Sequence, residues 1–537
     1  MTVRTEVGAA FVCLTLVAAP SGAAEPAPTA STAQVAVHKL QQDVAAAEAL
    51  AALMASVPRQ RVLFHNVSLV DPVAGVVVPG RSVIVSGRKI AWVGAADAAP
   101  KVDNLRIVEG TGRYLAPGLS DMHVHTNNHG DWLLDLSAGV TTVRDMAGFP
   151  WMLKAREAID ANRLLAPVIY VAGPLINGFP LEGFAIVPRD PVDARRMVRQ
   201  EAACGYDFIK VHNVVPMPIF DAVAEEAKAL DMDLVGHVPH DIPVRHAVER
   251  GMRTMEHMKG FLNDATLTLG DTDYAAAIDG PPVWNTPTLY AGLAPLKGEE
   301  GRTRLKAPDI SFAPLRDREA WTRDLDTPDD ASMKAFRASR AIQLSIVAKL
   351  HAEHARFLAG TDSANYPFQV RGFALLDEMS MLQAAGLSPV ETLQAATSEP
   401  AKAMRDEGAF GEIKVGERAD LVLLDSDPTR DTAAYRGSEG VVAHGYWLPR
   451  RDMDRAMAAL AASYAEEDRA TVIDRPAAEA LLTRLSTRES DGDVFNAGEI
   501  EAAADALRTA GFVDIADRLA VIAYAPTLGP CAEVRPQ

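Results

Sequence analysis

Cationic surface is what this chain most lacks. Lys and Arg number 53 against 71 Asp and Glu, a formal net charge of −18. No Lys/Arg stripe exists that could neutralise phosphates, so nucleic acid is excluded as a partner, and an anionic membrane surface is disfavoured. Cysteine is nearly absent, with three in 537 residues. Cys13 lies in the N-terminal apolar run, which leaves Cys204 and Cys531; one disulfide between them is conceivable, but sequence cannot show that their Cα atoms approach, and they are left unpaired. That apolar run, VGAAFVCLTLVAA after Arg4, is too short to span a bilayer. With the small residues Gly22, Ala23 and Ala24 behind it, it reads as a signal peptide over 1–24, and a periplasmic or secreted protein with no membrane attachment after cleavage is expected.

Two metal motifs are also missing on inspection. In KLHAEHARF, His351 and His354 stand at i and i+3 with Glu353 between them, whereas a zincin needs HExxH; this is a solvated helix face. Near the C-terminus Asp491, Asp493, Asn496 and Glu499 resemble an EF-hand loop, but the loop is one residue short and lacks its obligatory glycine, so it reads as turn chemistry before a capped helix.

What is present is an ordered series of short apolar runs, each ending on a residue able to hold a metal: SDMHVH (His123, His125), DFIKVH (Lys210), LVGHVP (His237), TMEHMK (His257) and FLAGTDS (Asp362). In a strand, alternate side chains share a face, so HxH sends both imidazoles one way. Amphipathic stretches such as PMPIFDAVAEEAKALDM lie between the runs, the alternation expected of a parallel sheet with covering helices. This predicts a (β/α)8 TIM barrel with ligands at the C-terminal ends of its first, fourth, fifth, sixth and eighth strands. TTVRDM, VIYVAGPL and VWNTPTLYAG supply the second, third and seventh. Zinc or another divalent ion accepts imidazole nitrogen and carboxylate oxygen. Four histidines and an aspartate would crowd one ion, and two ions relieve this.

The phrases YLAPGLSDMHVH, AGVTTVRDMAG, YDFIKVHN, LVGHVP, RTMEHM, LAGTD and GERADLVLLDSDP resemble the amidohydrolase superfamily, in the branch related to imidazolonepropionase and Xaa-Pro dipeptidase, over about residues 60–450. The resemblance implies that Lys210 is carboxylated and bridges two Zn2+, since a protonated ammonium would repel a cation. It implies His123, His125 and Asp362 on one ion and His237 and His257 on the other. Asp362 would serve as general base and then general acid. The implied activity is hydrolysis of an amide or peptide C–N bond in a small molecule, a dipeptide or N-acyl amino acid. Alternatives are a one-metal hydrolase of cyclic amides or lactones, with Lys210 a neutral amine, and a non-catalytic periplasmic ligand-binding protein.

Several residues near the strand ends are candidates to meet a substrate. Arg144 could clamp a carboxylate, or pair with Asp145 or a neighbouring strand end. His129, His212 and His240 follow the first, fourth and fifth strands, and Tyr366 follows Asp362; each could equally be a loop or packing residue. The expected organisation is signal peptide 1–24, linker and helix 25–58, a small β-sandwich built from 59–114 and 408–450, the barrel over 115–407, and a helical extension over 451–537. The long interval from Leu289 to Phe357 is a candidate lid or a structural insertion. A homo-oligomer is compatible with all of this.

Overall fold

The computed structural model describes residues 32–181, 184–263, 268–278, 280–291, 297–328, 331–363, 366–466 and 474–523. The expected signal peptide, Cys13 and Cys531 lie outside them. Cys204, left unpaired above, is disulfide-bonded; its partner lies outside the described residues. Among these, no helix is long and apolar enough to cross a membrane.

Eight short parallel strands organise the middle of the chain: β1 (Leu119–Val124), β2 (Val140–Asp145), β3 (Val168–Val171), β4 (Phe208–Val211), β5 (Asp233–Gly236), β6 (Met252–Glu256), β7 (Trp284–Thr286) and β8 (Arg356–Phe357). Every residue of β1, β2 and β4 is buried, as apolar runs covered on both faces should be. Pairing runs β1–β2–β3 and β4–β5–β6–β7–β8, all parallel. Parallel bridges Ala172↔Phe208 and Val124↔Ser363 link the two sets, with Met122 N–H donating to Ala359 at 2.9 Å and Asp362 N–H to His123 at 2.7 Å. The architecture is TIM-barrel-like α/β.

Covering helices start and stop where local chemistry requires. The helix Pro191–Cys204 follows Asp190, whose side chain accepts from Asp193 N–H; Pro191 opens it, and Gly205 ends it in the left-handed region at φ +85°, the conformation that tolerates no Cβ cheaply. The helix Ala331–Ala352 carries His351, which meets Glu391 at 3.0 Å, a surface contact.

The flanking strands, expected as a small β-sandwich, are joined by hydrogen bonds into one sheet of eight. Arg61–Asp71 and its neighbours up to Tyr114–Pro117 join Leu421–Leu424, Ser438–Ala443 and Tyr446–Pro449 through antiparallel pairing of Leu421–Leu424 with Tyr114–Pro117. The sheet is continuous because Arg61–Asp71 is long enough to pair one edge with Leu105–Glu109 in its first half and with Tyr114–Pro117 in its second. Between these halves Asn66 sits at φ +56°, an irregularity that bends the ladder.

The C-terminal extension is helical: Arg450–Glu466, Arg475–Asp491, Ala497–Thr509 and Val513–Ala523. Its core is shared with the distant helix Thr32–Ser56, through Val37, Leu40 and Val44 against Leu481, Leu485, Leu507 and Leu519. Arg488 occupies both Asp491 and Asp493, and Asn496 caps the next helix, so this segment is spent on structure rather than calcium. Phe495 lies 4.7 Å from the ring of His129, and His129 Nδ1 meets Asp43 at 2.7 Å; His129 therefore ties the barrel to these helices.

Candidate active site

Six side chains that the sequence scatters over 240 positions converge at the C-terminal ends of the strands. Lys210 lies on β4, His125, His237 and His257 immediately follow β1, β5 and β6, His123 is the fifth residue of β1, and Asp362 lies five residues past β8. His125 Nε2 is 3.0 Å and His123 Nε2 3.4 Å from Asp362 Oδ1. Lys210 Nζ is 3.3 Å from His123 Nε2. The ring of His257 is 4.5 Å from that of His123 and 4.7 Å from that of His237. His123, His257 and Asp362 bring ligand atoms within 4.8 Å of one another.

Close approach of the strands depends on two glycines. A Cβ on Gly236 would sit 2.2 Å from the Val211 carbonyl, and one on Gly360 would sit 2.6 Å from Thr286 and 2.9 Å from His123 N. Any larger residue would push β5 from β4, or the Asp362 segment from β1. Backbone conformation also aims two ligands and an anchor: His257 (φ +58°), Asp362 (φ +57°) and Thr288 (φ +49°), whose hydroxyl meets His257, all sit in the left-handed region, a cost accepted chiefly at functional sites.

Three of the histidines are anchored through the nitrogen away from the cluster. His123 Nδ1 meets Glu256 Oε2 at 2.8 Å, His237 Nδ1 meets the amide oxygen of Asn213, and His257 Nδ1 meets the Thr288 hydroxyl at 2.6 Å. Glu256 is an acceptor, and the Thr288 hydroxyl proton is already given to the Pro287 carbonyl. Each Nδ1 must then carry the proton, which leaves Nε2 as a lone pair directed at the cluster, the arrangement of metal-ligating histidines. Glu256, Asn213 and Thr288 were not picked out in the sequence. Glu256 and Asn213 left a faint signal, a polar residue next to a strand-end histidine in EH and HN, though each anchors a different histidine from the one beside it; Thr288 left none.

Burial sets the electrostatics. It lowers Lys210 to about 8 despite the opposing carboxylates of Asp362 and Glu256, so a neutral amine is within reach near neutrality. His123 falls to about 4, from burial and then the Lys210 charge. Burial likewise drives His237 and His257 well below the usual imidazole range. Asp362 runs the other way: burial would raise it, but His257, His123 and His125 hold it well below the usual carboxylate range. These are electron-pair donors around a carboxylate, a set that fits a divalent cation.

The remaining candidates divide. Tyr366 donates its hydroxyl to Asp362 Oδ2 at 3.1 Å. His212 lies against His237 with ring centres 4.2 Å apart and planes tilted by 36°, and His240 is exposed nearby, its N–H bonded to Asn213. Arg144 is not at the mouth. It is fully buried beneath the cluster, donating to the Met122 carbonyl at 2.6 Å, Thr254 at 2.9 Å and Glu256 at 2.8 Å. With its donors committed there, it is a floor residue rather than a clamp for substrate. The expected pairing with a strand end is what occurs, through Glu256 at the end of β6.

Comparison with known proteins agrees with this fold. The amidohydrolase family model matches residues 114–446. Ochratoxinase from Aspergillus niger is 21% identical over 445 residues, covering 68% of this chain and 83% of its own. Among solved structures, bottromycin amidohydrolase is 26% identical with a TM-score of 0.65 over 78% of this chain and 93% of that one. A Xaa-Pro dipeptidase with methionine bound in its active site is 20% identical, with a TM-score of 0.55 over 72% and 100%.

Proposed function

This chain belongs to the amidohydrolase family and is a hydrolase of carbon–nitrogen bonds, and we propose that it cleaves small amides or peptides, dipeptides or N-acyl amino acids, with two divalent ions. The observation that carries the proposal is the tautomer argument: three imidazoles are anchored through Nδ1, and two of them, His123 and His257, gather with the buried Asp362 carboxylate in one cluster. His123, His125 and Asp362 would hold one ion and His237 and His257 the other, probed most simply with Zn2+. Lys210, once carboxylated, would bridge them, and its burial favours the neutral amine that reacts with carbon dioxide. When bound, the ions supply hydroxide at neutral pH and polarise the scissile carbonyl.

The chain's own residues then account for proton transfer. Asp362, ionised and held by Tyr366 on Oδ2, takes a proton from the attacking water and delivers it to the leaving amine. His212 and His240 stand on the β4 and β5 side, where a substrate carboxylate would be met. Names of the relatives, ochratoxinase, bottromycin amidohydrolase and Xaa-Pro dipeptidase, support amide or peptide substrates. The bridges Ala172↔Phe208 and Val124↔Ser363 support reading the eight strands as a closed barrel, flanked by a small β domain from 59–114 and 408–450. Residues 1–24 support export to the periplasm or medium.

A library of dipeptides and N-acyl amino acids, assayed with protein loaded with Zn2+ in bicarbonate, tests the proposal. Turnover that a chelator abolishes is expected. Absence of turnover on every amide and ester refutes it, and one ion per chain with full activity favours the one-metal hydrolase of cyclic amides or lactones.

A further inference from the structure

The anchors of the three histidines are unequal. His237 rests on the neutral amide of Asn213 and His257 on the neutral hydroxyl of Thr288. His123 rests on the carboxylate of Glu256, whose second oxygen accepts from Arg144 Nη2 at 2.8 Å and from the Thr254 hydroxyl at 2.5 Å. Glu256 and Arg144 are both fully buried, so no water screens the chain Arg144–Glu256–His123. A charged acceptor polarises Nδ1–H more than a neutral one and makes the opposite nitrogen a stronger donor. Arg144 acts twice, because its Nε also holds the Met122 carbonyl, in the residue before His123. One guanidinium therefore fixes the strand that carries the ligand and the carboxylate that orients its ring.

We propose that Glu256, held by Arg144, is a positioning residue that makes the half of the centre containing His123 bind its divalent ion more tightly than the half containing His237 and His257, so that the two ions load in sequence. The inference rests on the two-ion reading above. It follows from the contrast between a buried ion pair behind one imidazole and neutral groups behind the other two.

Titration of the metal-free full-length protein with Co2+, followed by visible absorption and by calorimetry, tests it without reference to activity. The wild-type chain is expected to bind in two steps. Glu256→Gln is expected to weaken the tighter step by about 10–100-fold while leaving the weaker step in place, and Asn213→Ala to weaken the second step alone. Glu256→Gln strands a buried guanidinium and so risks folding; the double variant Arg144→Gln/Glu256→Gln removes both charges together and is expected to weaken the same step. Two-step binding with the tighter step unmoved in these variants overturns the inference alone. A wild-type chain that binds no Co2+ overturns the metal reading and the inference with it.

Discussion

Replacing Asp362 by Asn separates proton transfer from ligation. The amide has the volume of the carboxylate and keeps one oxygen able to face His125 and His123, now 3.0 and 3.4 Å from Oδ1. Its NH2 takes the place of the oxygen that accepts from Tyr366 at 3.1 Å, and that hydroxyl can rotate to accept instead. What the amide cannot do is take up a proton. General acid–base catalysis contributes about 10²–10⁴-fold, or about 3–5 kcal/mol of barrier at 1.36 kcal/mol per tenfold. Steady-state kinetics on the best substrate of the library should show kcat and kcat/KM falling together by that factor. Bound metal, counted by elemental analysis, should stay largely in place. Should kcat stay within tenfold of wild type with metal retained, Asp362 is not the proton carrier and the mechanism fails.

Tyr366→Phe removes the hydroxyl from Asp362 Oδ2, a hydrogen bond to a charged acceptor, and should cost about 10-fold or more in kcat with little change in melting temperature; an unchanged kcat would show that Tyr366 does not orient the carboxylate. Glu378 is fully buried, and burial raises its carboxyl to about 8 against the bonds from Tyr290 and Leu289 N–H. Its folded pKa lies above the unfolded one, so the folded state holds the extra proton and stability falls as pH rises from about 4.5 to about 8, by at most about 5 kcal/mol. Glu378→Gln should therefore raise the melting temperature at pH 8 and change it little at pH 5; an equal effect at both would contradict the assignment. Arg371 is buried with both oxygens of Asp135, at 2.9 and 3.0 Å, and faces Asp131 and Asp121. Arg371→Met should destabilise by about 3–5 kcal/mol at neutral pH, and the deficit should shrink on acidification as Asp135, near 7 even beside Arg371, takes up its proton. Denaturation at pH 7.5 and 5 checks this, and a loss under about 1 kcal/mol at pH 7.5 would contradict it.

Much of the site was legible because its rules are local. HxH at a strand end puts His123 and His125 on one side, and apolar runs of strand length mark β1, β2 and β4 without any knowledge of their neighbours. The eighth strand was harder: FLAGTDS reads as one run, yet β8 is only Arg356–Phe357, because Gly360 must pass within a methyl group's reach of β1 and Asp362 turns left-handed. For Arg144, sequence leaves a substrate clamp and a strand-end partner both open. Its position in β2 says that it faces inward, but its depth depends on Glu256 and Thr254, more than 100 residues away.

Sequence alone settled which residue types meet and in what strand order, since a period of two and the alternation of strand and helix are written into consecutive residues. Its charge count also carries the expectation that phosphate-rich partners are disfavoured. Tertiary structure decided which nitrogen of His123, His237 and His257 is anchored, where the Arg144 charge goes, and that Thr32–Ser56 shares a core with the last helices. Those are contacts between segments that no spacing relates, and they exist only once packing has brought the partners within hydrogen-bond or van der Waals range.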